Sequence, residues 1–97
     1  TGYRKLLEAS AGTIKKEIKF LCTGAVQAEV RDFFGTDAEY KMKDSGDLTV
    51  TAELPENGKF YGWLTGMGGS VRILKPKKSA AAYRDYLKSL AKDYKGL

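Results

Sequence analysis

The stretch from Trp63 to Pro76 reads WLTGMGGSVRILKP, and it joins an apolar helix, a glycine stop, a short strand and a proline that opens a further helix. Trp63, Leu64 and Met67 follow Phe60 at helical spacing, so one helical face is apolar. Gly68 and Gly69 are expected to supply the left-handed backbone positions that end this helix and turn the chain. Val71, Arg72, Ile73 and Leu74 then have the composition of a strand. Pro76 suits the start of the next helix, where a missing N–H costs nothing.

Upstream of this stretch, Ile18, Phe20 and Cys22 alternate with Lys19 and Leu21 as a half-buried strand does. Thr23 offers a hydroxyl cap to a helix whose Val26, Val30, Phe33 and Phe34 fall at i, i+4, i+7 and i+8, and Gly35 ends it. Ala38, Tyr40 and Met42 alternate with charged neighbours. Asp44-Ser45-Gly46-Asp47 then reverses the chain, and Leu48, Val50, Ala52 and Leu54 resume the alternation, which is the pattern of a β-hairpin. Pro55, Glu56, Asn57 and Gly58 form the next turn, and a last helix is expected from about Ser79 to Tyr94 with Gly96 as its stop.

The resulting order predicts an α+β fold, a ferredoxin-like βαββαβ sandwich with two helices on one face of a four-stranded antiparallel sheet, plus an additional C-terminal helix. Right-handed crossovers give the spatial strand order 4-1-3-2. Phe20, Val30, Phe33, Phe60, Trp63, Leu64, Val71 and Ile73 are the expected core, with Trp63 its keystone. Lys19 and Leu21 then lie on the opposite sheet face beside Arg72 and Leu74, so that Leu21 and Leu74 meet as a small apolar patch where a partner or the last helix docks. Tyr83, Leu87, Leu90 and Tyr94 make an apolar seam along the last helix that either the domain itself or a second chain covers. Leu21, Leu74, Tyr83 and Leu87 are accordingly the candidate interface of a homodimer, the commonest closed assembly.

The 97 residues make one domain near the small end of what buries its own core. Its 42% hydrophobic and 30% charged residues are those of a globular protein, and no apolar run approaches the ~18 residues a membrane span needs. Cys22 is the single cysteine and histidine is absent, which excludes an internal disulfide, a Cys/His zinc site and any His-based triad. A reducing, cytoplasmic setting fits this composition, and neither a metal nor a cofactor is expected. The start at Thr1, without Met or a leader-like segment, is that of a piece of a longer protein. Residues 3–9 read as a short helical piece and Ser10, Ala11, Gly12 and Thr13 as a linker. Residues 1–13 are thus a connection from a preceding domain and residues 14–97 the domain itself.

The net charge of +5 is unevenly spread. From Arg72 onward eight basic residues against Asp85 and Asp93 give +6, whereas residues 36–71 carry three lysines against six carboxylates, or −3. Arg72, Lys75, Lys77, Lys78 and Arg84 are therefore candidates for contact with a nucleic acid or another anionic effector, with a solvated lysine face as the alternative.

Several chemistries lack their residues. Gly66, Gly68 and Gly69 are not followed by the Lys-Ser/Thr of a phosphate loop, nor preceded by a parallel strand. The carboxylate pairs Asp44/Asp47 and Glu53/Glu56 fall on turns without apolar surroundings, and residues 22–25, Cys-Thr-Gly-Ala, hold no arginine of the acylphosphatase kind. An RNA-recognition motif needs aromatics on the open faces of strands one and three, which this chain does not place there. The chain is not expected to be an enzyme, and Cys22 reads as a small buried hydrophobe.

Residues 16–95 resemble the C-terminal extension, or WCX, domain of bacterial WYL-domain transcription regulators. The features that carry the resemblance are Trp63 on a helix ended by Gly68 and Gly69, the strand Val71, Ile73, Leu74 leading to Pro76, and a last helix ending near Tyr94. Family members carry a Leu-Arg pair shortly after the proline, where this chain has Ser79 and Ala80, so a contact made through that arginine would fall to Arg72 or Arg84. The resemblance implies a non-catalytic module that contributes to dimerisation and to the ligand response. In the parent protein a preceding helix-turn-helix domain would bind DNA and a WYL domain would sense a nucleic-acid or nucleotide effector. An ACT-like small-molecule sensor shares the fold but would place a glycine-rich ligand loop after the first strand, where only Gly24 stands.

Overall fold

The computed structural model of the chain describes residues 1–96; the expected domain's last residue, Leu97, lies outside the described residues. Helix α1 (Gly2–Ala9) leads into strand β1 (Lys15–Cys22), a 3-10 turn at Gly24–Val26 and helix α2 (Gln27–Phe34). The hairpin strands β2 (Glu39–Met42) and β3 (Leu48–Pro55) follow, then helix α3 (Gly58–Gly66), a 3-10 turn at Gly68–Ser70, strand β4 (Val71–Lys75) and helix α4 (Lys77–Asp93). The sheet is antiparallel throughout, in the order β2-β3-β1-β4.

Strand alternation decides which face of the sheet is dry. Ile18, Phe20 and Cys22 pair with Ala52, Val50 and Leu48, and all six are buried together with Leu54 and Val71. Against them pack Val30 and Phe34 of α2, Phe60, Tyr61 and Leu64 of α3, and Tyr3 and Leu6 of α1. Of the expected core, Phe20, Val30, Phe60, Leu64 and Val71 are buried, while Phe33, Trp63 and Ile73 are half-buried at its margin. Trp63 is nonetheless an aromatic hub: its ring lies 4.6 Å from Phe33, 5.4 Å from Phe34, 5.7 Å from Phe20 and 6.4 Å from Phe60.

Helix α1, read from the sequence as part of a connecting segment, is packed as a core element. Thr1 caps it through its side chain, the Tyr3 ring lies 5.2 Å from that of Phe34, and the Tyr3 hydroxyl donates to the Glu53 carbonyl at 2.7 Å. Behind it, the buried Ser10 hydroxyl accepts from Asn57 Nδ2 at 2.9 Å, so even the segment read as a linker is tied to α3.

Local differences from the sequence reading have simple causes. Thr23 makes no side-chain cap; its N–H instead donates to the Ser70 carbonyl at 3.0 Å, joining the two 3-10 turns. Only Gly68 of the glycine pair has positive φ (63°), because the 3-10 turn brings Gly69 back to ordinary backbone. Asn57 caps α3 by accepting from the Lys59 and Phe60 N–H groups, both at 3.1 Å. Helix α4 begins at Lys77, two residues before the expected Ser79. Among the described residues no helix is long and apolar enough to cross a membrane.

Candidate functional site

The sheet face opposite the helices bears the odd positions of β1. Glu17, Lys19 and Leu21 pair with Glu53, Thr51 and Thr49 of β3, and Thr51 pairs in turn with Glu39 of β2. On the other flank Leu21 stands opposite Arg72, and a register shift then sets Lys19 opposite Lys75. That shift changes the expected apolar patch. Arg72 sits across from Leu21, and Leu74, which unbroken register would set across from Lys19, falls out of the pairing as the extra residue of a bulge. Leu21 is half-buried and Leu74 39% exposed.

The last helix does not cover this face. The rings of Tyr83 and Tyr86 pack on Tyr61 of α3 at 5.3 and 4.8 Å, the Tyr83 and Thr65 hydroxyls share a hydrogen bond of 2.9 Å, and the buried Ser79 hydroxyl donates to Glu56. Lys16 Nζ lies 3.6 Å from the same Glu56 carboxylate, anchoring the start of α4 beside β1. Tyr83 is therefore occupied within its own domain, whereas Leu87 (37%), Leu90 (39%) and Tyr94 (72%) stay exposed farther along the seam. The seam of the sequence is thus divided: its first member closes the domain and the remainder faces solvent.

The uncovered sheet face carries charges of both signs, with the β4 edge purely basic. Lys19, Arg72 and Lys75 lie on β1 and β4, but Glu17 shares β1 with Lys19, Glu53 lies on β3, and β2 carries both Glu39 and Lys41. Glu17, Lys19, Glu39, Thr51 and Lys75 line one shallow groove of about 290 Å³. Lys77 and Lys78 follow Lys75 directly in the exposed first turn of α4. Arg84 lies two turns on, exposed and 3.4 Å from Asp85, so the five basic candidates do not form one cluster: four gather near the β4–α4 junction and Arg84 stands apart. Lys19 was missing from the basic candidates; its odd position in β1 was legible, but only the register puts it across from Lys75.

The β4 edge of this face can attract an anion, and Thr51 is a neutral hydrogen-bonding group beside it. Burial pushes the Cys22 thiol up to about 11, and burial, ahead of nearby carboxylates, raises the phenols of Tyr3 and Tyr61. The described residues contain no group of three or more His, Cys, Asp or Glu side chains placed to hold a metal ion.

Neither the curated proteins nor the solved structures yield a match to this chain. The family model described as the WCX domain matches residues 14–91, the stretch from the start of the sheet to the exposed part of α4. A WCX domain is consistent with a regulatory domain of WYL-type regulators. By that match, which spans most of its length, the chain belongs to the WCX domain family.

Proposed function

We propose that this chain is the C-terminal dimerisation and effector-response module of a WYL-type bacterial transcription regulator. It works in the cytoplasm without catalysing a reaction, and it helps hold a nucleic-acid or nucleotide effector while a preceding domain binds DNA. The fold is read as ferredoxin-like: taken from the β4 edge, the strands run 4-1-3-2, with one face left free for such a ligand. The observation that carries the effector reading is the pairing of Lys19 with Lys75 and of Leu21 with Arg72 on a sheet face that α4 leaves uncovered, next to Lys77 and Lys78. Five cations along this edge and the start of α4 attract a polyanion, and the guanidinium of Arg72 can grip phosphate in a fork or stack on a base. Self-association is assigned to the exposed apolar positions Leu74, Leu87, Leu90 and Tyr94.

The family match favours this reading over an ACT-like sensor. The direct test is to map amide shifts while titrating a single-stranded oligonucleotide at low salt. Perturbations centred on Lys19, Arg72, Lys75 and Lys77 support the proposal, and shifts centred elsewhere, or none, contradict it.

A further inference from the structure

Asn57 is the chain's single asparagine, and Gly58 follows it directly. This dipeptide is chemically labile, because a glycine has no Cβ to hinder the approach of its main-chain nitrogen to the asparagine side-chain carbonyl carbon. Gly58 is exposed and Asn57 half-buried, so solvent water reaches the pair.

The fold holds this side chain at both of its polar atoms. Asn57 Oδ1 accepts from the Lys59 and Phe60 N–H groups at the start of α3, and Asn57 Nδ2 donates to the hydroxyl of the buried Ser10 at 2.9 Å. The main chain is held as well: the Asn57 N–H donates to the Pro55 carbonyl at 3.1 Å, and the Asn57 carbonyl accepts from the Tyr61 N–H at 3.0 Å. Asn57 is extended, at φ −145° and ψ 177°. At that ψ the Gly58 nitrogen is staggered against Cβ, whereas closing a five-membered ring needs the two nearly eclipsed. Ring closure would also pull Oδ1 away from the two N–H groups it caps.

We propose that Asn57–Gly58 is a latent deamidation site, kept closed by the cap on α3 and the bond to Ser10, and converted when these contacts open. In the first step the Gly58 nitrogen gives up its proton to a solvent base and attacks Asn57 Cγ. The N–Cγ bond forms, the Cγ–Nδ2 bond breaks with its electron pair going to nitrogen, and Nδ2 takes a proton from water and leaves as ammonia. Water then adds to either carbonyl of the succinimide and opens the ring, giving aspartate or isoaspartate, whose main chain runs through Cβ. Both products replace the Nδ2 donor by a carboxylate oxygen, so the bond that residue 57 donates to Ser10 is lost. Isoaspartate also lengthens the main chain at the cap of α3. Conversion therefore loosens the tie between α3 and the segment that follows α1.

The test incubates the chain at pH 8 and scores residue 57 as Asn, Asp or isoaspartate by peptide mapping and mass spectrometry. Native chain, chain unfolded in urea, and the variant Ser10→Ala are compared, the last checked by circular dichroism to be folded. Conversion in urea should be at least about tenfold faster than in the native chain, because the closed geometry is lost altogether. The folded Ser10→Ala variant should convert about fivefold faster than the native chain, as expected when one hydrogen bond no longer opposes local opening. A native chain that converts as fast as the unfolded one, no conversion in urea, or an unchanged rate in folded Ser10→Ala would overturn the proposal. The comparison of native with unfolded chain decides the matter even where Ser10→Ala does not fold.

Discussion

The hydroxyl of Tyr3 donates to the main-chain carbonyl of Glu53 at 2.7 Å, fastening the first helix to the outer side of β3. The bond is partly buried and its ring packs on Phe34, so the N-terminal helix shares the core with the elements matched by the family model. Tyr3→Phe should cost about 1 kcal/mol by removing the hydrogen bond alone, and Tyr3→Ala roughly 3 to 5 kcal/mol by opening a cavity against Phe34. Urea denaturation of both variants checks this, and equal, negligible losses would mean that α1 does not contribute to the folded domain.

Trp63→Ala should destabilise the domain by roughly 3 kcal/mol, because four aromatic rings lose their shared neighbour even though the indole is only half-buried. Trp63→Phe should keep much of that stability by retaining a ring against Phe33. A loss below about 1 kcal/mol in the alanine variant would remove Trp63 from the packing account.

Cys22 is fully buried in the core, and its thiol is pushed up to about 11 by desolvation. The native protein should therefore resist a thiol reagent at pH 8 and react fully in denaturant. The raised value also fixes a sign for stability. Above an unfolded thiol pKa of about 8.5 the unfolded chain releases the proton while the folded chain retains it, so stability falls as pH rises from about 9 toward 11. The raised phenols of Tyr3 and Tyr61 act in the same direction at higher pH. Rapid native labelling, or stability that rises over this alkaline range, would contradict the burial argument.

Along α4, Leu87 and Leu90 are exposed while Tyr83 is bonded to Thr65. Leu87→Glu/Leu90→Glu should abolish self-association, with a change in melting temperature within the small range of surface substitutions. Tyr83→Ala should instead lower the stability of the domain by about 2 kcal/mol or more. Light scattering at high micromolar concentration reads the first effect, and a wild-type chain that is monomeric there would move dimerisation to another part of the regulator.

How much of this was legible in the sequence depended on the physical signal. The alternation of Ile18, Phe20 and Cys22 against Val50 and Ala52 gave the buried sheet face directly, since period two admits one inside set. The Phe60, Leu64 spacing likewise revealed the buried face of α3. The part played by α1 was hidden because its contribution rests on Tyr3 and Leu6, with Leu7 at the margin, too few positions to declare a face. The bulge at Leu74 was hidden for a different reason: VRILK alternates acceptably without it, and the slip is a property of pairing with β1 rather than of the strand itself. For the candidate site, Arg72 and Lys75 could be picked out by charge and Arg72 placed beside Lys19 and Leu21 by alternation, but the pairing of Lys75 with Lys19 required the register. The division of the α4 seam also depended on packing, because Tyr83 and Leu87 look alike in spacing and differ only in what α3 presents to them.

The central claim is that the β4 flank of the uncovered sheet face holds an anionic effector. Its most direct measurement is the affinity of the chain for a fluorescent single-stranded oligonucleotide across a salt series, compared with an Arg72→Ala/Lys75→Ala variant. The account predicts weak binding without strong sequence preference, log K that falls linearly with log salt, and a slope reduced by about 1.4 in the variant as two phosphate contacts are lost. No binding at low salt, or a variant with the wild-type affinity and slope, would contradict it.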